Sequence, residues 1–217
     1  MRGVIRKSLG LTAGLLLLVP ASALAGEASV TGGIPRYSAY FGESNNVTVG
    51  ELPGPTSATK TIVYTDVVPI DVGPNCFHPN PNSSRVVHCV VSAGTTLARA
   101  GLGNRDDRIA PSTSIPPTTF GESVEGDLGN DVLLGTTQRD LLDGVGGDDV
   151  IRGRAGDDGL EGGNGEDDIK GEGGDDTLNA DDNSAGDLLD CGSGLDDSAV
   201  FDLGDTVNTT CETQTQN

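Results

Sequence analysis

The 217-residue sequence has no tryptophan, one methionine, two histidines, four phenylalanines and three tyrosines, so aromatic residues make up only 3% of it. Few aromatics with abundant charge ordinarily go with disorder. Positive charge is scarce too: 13 Lys and Arg stand against 33 Asp and Glu, a formal net charge of -20. That balance excludes nucleic acid, whose phosphates the chain would repel, and favours cations or basic partners. Long apolar runs are also missing. The most apolar run, Leu9 to Val19, is 11 residues, short of the roughly 20 that a helix needs to cross a bilayer, so no membrane span is expected. There is no HExxH, GxSxG or Walker loop, and a histidine-based triad would have to use His78 or His88. The expectation is that the protein is not an enzyme.

What is present begins with an address. Arg2, Arg6 and Lys7 precede the apolar run, and Ala23-Leu24-Ala25 offers the small-x-small pattern of a signal-peptidase site. Residues 1–25 are therefore expected to be a signal peptide, leaving a secreted, extracellular chain of 217 − 25 = 192 residues with a net charge of -20 − 3 = -23. Four cysteines, an even number in an exported chain, read as disulfides. Of the three possible pairings, sequence proximity favours Cys76 with Cys89 and Cys191 with Cys211. Cys76 and Cys89 with His78 and His88 also have the composition of a Cys₂His₂ zinc site, but an oxidising compartment favours the disulfide.

From 26 to 119 short alternating runs such as Asn46-Val47-Thr48-Val49 and Thr61-Ile62-Val63-Tyr64 are separated by prolines and glycines, with no helical period. This reads as an irregular β-rich region, with Pro116-Pro117 near its boundary. A hydrolytic or ligand-binding domain here, merely stabilised by the C-terminal half of the chain, is the alternative function.

Beyond residue 120 the sequence acquires a period of nine. From Gly126 it runs GDLGNDVLL, GTTQRDLLD, GVGGDDVIR, GRAGDDGLE, GGNGEDDIK, GEGGDDTLN. The first place is always Gly, the sixth always Asp (Asp131, Asp140, Asp149, Asp158, Asp167 and Asp176), and the eighth always Leu or Ile. A flexible Gly/Asp linker would not keep its apolar residues in phase. Asp187 with Leu189 begins a further unit after an insertion, and Cys191 to Asp196 another; Gly101-Leu102-Gly103 to Asp106 and Ile109 is a weaker, earlier echo.

The units resemble the GGxGxDxUx repeat of the RTX, or hemolysin-type, calcium-binding family. The resemblance implies an all-β protein whose residues 120–217 form a parallel β-roll, a calcium-binding β-solenoid, with two units to each coil. The residue types agree with it. Gly at the first place lets main-chain carbonyls converge, Asp at the sixth adds a hard anionic oxygen, and oxygen-only donor sets suit Ca²⁺. The expected metal ligands are Asp131, Asp140, Asp149, Asp158, Asp167, Asp176, Asp187 and Asp196. Carboxylates stacked roughly 4.8 Å apart repel by about 3 kcal/mol at an effective dielectric of 20. One Leu or Ile per unit is too little apolar burial to offset ordering the chain, so folding and calcium binding are expected to be one event. The N-terminal signal sets this chain apart from family members that leave through a C-terminal one, and the reading is of a binding or structural module rather than a toxin. The surface or protein partner is not legible.

Overall fold

The computed structural model describes residues 26–39, 42, 44–66, 70–72, 74–80, 82–83, 85–112 and 118–217. The expected signal peptide, residues 1–25, and Pro116-Pro117 lie outside these. All regular structure in the described residues is strand, arranged as two ten-stranded sheets.

In the repeats, successive strands alternate between the sheets, and each pairs in parallel with the strand one coil away. Leu133 lies opposite Ile151, and Ile151 opposite Ile169, in one sheet; Leu142, Leu160 and Leu178 do the same in the other. The offset is 18 residues, two units per coil, as the family resemblance implies. Strand geometry then explains the burial. Side chains alternate, so the eighth place faces the opposite sheet while the seventh and ninth face outward. Leu133, Leu142, Ile151, Leu160, Ile169 and Leu178 are all buried and form a single file along the interior.

Tight turns join the sheets, and glycine makes them stackable. Gly147, at a fourth place, has φ 130°, and a Cβ there would collide with the carbonyl of Gly129 in the coil before. The second place is left-handed as well in every unit but the one at Thr136, even at Val145 (φ 76°) and Arg154 (φ 82°). A left-handed conformation at such residues costs about 1–2 kcal/mol each, so the stack imposes it on them.

Parallel stacking begins before residue 120. Gly121–Glu125 pairs with Leu97–Gly101, and Leu97–Gly101 with Ile34–Ser38; in the other sheet Val132–Leu134 pairs with Arg108–Pro111, and Arg108–Pro111 with Asn46–Pro53. The boundary expected at 119/120 therefore falls within continuous sheets. Outside these coils the pairing turns largely antiparallel: Glu27–Thr31 with Ile34–Ser38, and Asn46–Pro53, Thr59–Thr65 and Val86–Ser92 as a meander. Both favoured disulfides form. Cys76–Cys89 joins Cys76–Phe77 to the meander, and Cys191–Cys211 closes the far end of the roll. Among the described residues no helix is long and apolar enough to cross a membrane.

Candidate metal centre

The sixth-place aspartates line the two edges of the roll, where strand gives way to turn. Because the coils stack in register, each aspartate lies beside the one 18 residues on, or 20 at the insertion before Asp187, and its main-chain N–H donates to that neighbour's Oδ1. On the first edge Asp131 donates to Asp149 (2.7 Å), Asp149 to Asp167 (2.8 Å) and Asp167 to Asp187 (2.7 Å). On the second, Asp140 donates to Asp158 (2.8 Å) and Asp158 to Asp176 (2.9 Å). Each carboxylate thus clamps two coils through one oxygen.

The other oxygen is the informative one. In Asp131, Asp149, Asp158, Asp167, Asp176 and Asp187 Oδ2 is buried and has no hydrogen-bond partner. At Gly144 a Cβ would overlap both Asp149 Oδ2 and the carbonyl oxygen of Gly162. Two acceptors therefore face one small space, and glycine holds it open. Burial, with the charges of neighbouring carboxylates adding to it, pushes Asp131, Asp149 and Asp158 up to about 7 against the lowering effect of the N–H bonds. Asp167, Asp176 and Asp187 rise to about 6 for the same reasons. Facing acceptors in a buried space need a proton or a cation between them. No three His, Cys, Asp or Glu side chains form a metal-holding group among the described residues. The donors offered along this column are carboxylate oxygens and main-chain carbonyls, such as Asp149 Oδ2 and the Gly162 carbonyl, an oxygen-only set that would suit calcium.

Asp140 departs from the pattern. Its Oδ2 accepts the Thr136 main-chain N–H (2.6 Å) and the Thr136 hydroxyl (3.1 Å). In that turn neither Thr136 nor Gln138 is left-handed, whereas Val145 and Gly147 in the next turn both are. Asp140 belongs to the ladder, but its carboxylate is satisfied by protein.

Asp196 is a correction. It is exposed, and the buried carboxylate beneath Asp176 belongs to Asp197: the Asp176 N–H donates to Asp197 Oδ1 (2.7 Å), and Asp197 Oδ2 is unpartnered. The turn holds an extra residue. Leu195 and Asp196 both donate to Asp175 Oδ1, so two residues share the fifth place and the sixth moves to 197.

Upstream of the repeats two ladder members escape notice in the sequence. Asp107 donates to Asp131 Oδ1 (2.8 Å), 24 residues away, and Glu122 donates to Asp140 Oδ1 (2.5 Å). Glu122 is buried with both carboxylate oxygens unpartnered, and burial, then the charge of Asp140, holds it well above the usual carboxylate range. The sequence signal for Glu122 was a seventh unit upstream, with Val124 in its eighth place.

The fifth place forms a second, exposed ladder. Asp148 Oδ1 accepts the Glu166 N–H and Asp157 Oδ1 the Asp175 N–H, each at 3.1 Å. These residues tie coils together outside the buried column.

A two-sheet parallel solenoid with carboxylates stacked along both edges is a β-roll. Residues 125–160 and 155–184 match the family model described as the RTX calcium-binding nonapeptide repeat (4 copies), so the units of this segment are similar to the repeats of that family. No curated protein and no solved structure matches the chain.

The zinc alternative is removed by the Cys76–Cys89 disulfide, which uses both thiolates. His78 Nδ1 lies 3.0 Å from the Val86 carbonyl, and His88 stacks edge-on against Phe77.

Proposed function

We propose that the protein is an exported calcium-dependent structural module, whose roll folds as it binds Ca²⁺ and which works outside the cell as a binding or surface element rather than as a catalyst. The observation that carries the reading is the file of buried, unpartnered Oδ2 atoms on Asp131, Asp149, Asp158, Asp167, Asp176, Asp187 and Asp197. Leaving each of these without a partner costs about 1–3 kcal/mol, and a cation shared between adjacent coils removes the penalty at several carboxylates together. Export is supported by the basic-apolar start of the sequence and by two disulfides, which suit an oxidising compartment. Against a catalytic role for residues 26–119 stands the use of His78 and His88 in local contacts with Val86 and Phe77.

The test is calorimetric calcium titration of the chain from Gly26 onward, with circular dichroism followed in parallel. Heat of binding that coincides with a gain of β-structure is the expected result. Calcium uptake without a spectral change would separate binding from folding, and no uptake would end the reading.

A further inference from the structure

The cation column need not stop where the recognisable repeats do. Asp107 lies upstream of the matched segment in a turn, Gly103 to Asp107, without the nine-residue pattern. Yet it repeats the roll's geometry. Val132 donates its N–H to the Asp107 carbonyl at 2.9 Å, as Val150 does to the Asp131 carbonyl at 2.9 Å. A Cβ on Gly129 would strike the Arg105 carbonyl, just as one on Gly147 would strike that of Gly129. The Asp107 N–H reaches Asp131 Oδ1. Asp107 is 3% exposed and Asp131 1%, and Oδ2 of each is buried without a partner.

The next carboxylate upstream behaves differently. Asp66 Oδ2 accepts the Tyr37 hydroxyl at 2.7 Å, and its Oδ1 the Asn46 N–H at 2.9 Å. Asn45 links the two regions, because its N–H and its Nδ2 both donate to Asp107 Oδ1. On this edge the run of unpartnered oxygens therefore begins at Asp107.

We propose that a further calcium site lies between the Asp107 and Asp131 carboxylates, one coil upstream of the RTX repeats, and that its cation fastens the antiparallel N-terminal strands to the roll. The proposal rests on the calcium reading of the roll and adds a site outside the repeats. Asp107 and Asp131 supply the anionic oxygens, and main-chain carbonyls of the two turns complete a hard, oxygen-only set. A cation here acts at a junction: Asp107 holds Asn45 on one side and Asp131 on the other, so both regions are ordered by the same ion.

The tyrosines make the site separately observable. The chain has three tyrosines, at 37, 40 and 64, and no tryptophan. Tyr37 is joined to Asp107 through Asn45, by bonds of 3.1 and 3.2 Å. Terbium, which takes calcium-like oxygen sites, emits when a nearby excited tyrosine transfers energy to it, so ions deep in the roll remain dark under tyrosine excitation. The experiment uses the chain from Gly26 onward, with terbium and calcium as probes and total uptake measured by dialysis. Tyrosine-sensitised emission that calcium displaces is expected, with most of it lost in Asp107→Asn and retained in Asp106→Asn, whose side chain is exposed. The inference is overturned if the protein takes up terbium without sensitised emission, or if folded Asp107→Asn emits like the parent. Should Asp107→Asn fail to fold, Glu122→Gln decides the matter, because Glu122 is the other unpartnered buried carboxylate near a tyrosine, Tyr64: calcium-displaceable emission kept in that variant supports the site, and emission lost there overturns it. A chain that takes up neither ion would overturn the calcium reading itself, a result distinct from uptake confined to the repeats.

Discussion

The two ends of the molecule treat buried charge in opposite ways. In the N-terminal strands Lys60 is buried but pairs with Glu51 at 3.3 Å and lies over the Phe120 ring. Asp66 is met by Tyr37 and Asn46, and the Tyr64 hydroxyl reaches the Arg99 carbonyl. Large buried side chains such as Tyr37, Tyr64, Ile62 and Phe120 surround these contacts. In the repeats each strand buries one Leu or Ile, and the aspartate beside it, Asp140 apart, keeps an oxygen without a protein partner. Where a sequence supplies bulky apolar groups and varied polar ones, it can close its own hydrogen bonds. Where it repeats nine residues, every coil has the same open valence, and one kind of ligand can fill them all.

Removing calcium should break this contrast most visibly. In metal-stripped protein, amides from about residue 126 to 207 should exchange hydrogen rapidly while those of Thr59–Thr65 and Val86–Ser92 stay protected. Mass-spectrometric exchange with and without calcium measures this, and uniform behaviour along the chain would show that the two ends share one source of stability.

Acid should partly replace the metal. Asp131, Asp149 and Asp158 titrate at about 7 in the metal-free fold, against roughly 4 in an unfolded chain. The folded state then holds more protons through that window, so its stability is greatest below about 4 and is lost as pH rises through about 7. Metal-stripped protein should therefore regain β-structure on acidification across that range, while calcium affinity changes in the opposite sense because proton and cation compete for Oδ2. Circular dichroism at stepped pH, and calcium titrations at the same values, measure both halves.

The third test separates the two acidic places of one turn. Asp149→Ala removes the acceptor of the Asp131 N–H and a buried Oδ2, which should cost about 1–3 kcal/mol and lower calcium uptake. Asp148→Ala removes an exposed acceptor for the Glu166 N–H and should cost below about 1 kcal/mol, with the ion count unchanged. Denaturant melts in saturating calcium, together with dialysis, would show whether the buried and exposed ladders differ as drawn.

Much of the roll is legible in the sequence. Three locked columns showed the inward Leu and Ile file and six of the ladder aspartates, and Asp187 followed once a two-residue insertion was allowed for; the 18-residue coil that puts them in register was implied by the family resemblance. Insertions defeated the same arithmetic. One extra residue in the turn at Leu195-Asp196 shifted the ladder to Asp197, and the long step from Asp107 to Asp131 hid a member altogether. The N-terminal strands alternate well enough to be recognised as strands. Alternation says nothing about which neighbour a strand joins, so their continuity with the roll was not visible. Thr136 was hidden for another reason: a threonine beside a glycine does not announce that it will bond a carboxylate four residues away.

That threonine allows the finest test, within one edge of the roll. Asp140 and Asp158 occupy the same column, yet Asp140 Oδ2 has two donors from Thr136 and Asp158 Oδ2 has none. If the hydroxyl stands in for a cation, Thr136→Val leaves Asp140 Oδ2 with the Thr136 main-chain N–H alone and brings it closer to its neighbours, whose Oδ2 has no donor. The loss should be about 1 kcal/mol, one hydrogen bond to a carboxylate. It should also shrink as calcium rises, because an ion can then take the vacated position. Thermal melts of Thr136→Val and the parent chain across a calcium series measure the difference. A loss that is the same at every calcium concentration would mean that Thr136 only braces its own turn, and that the two kinds of step on this edge are unrelated solutions.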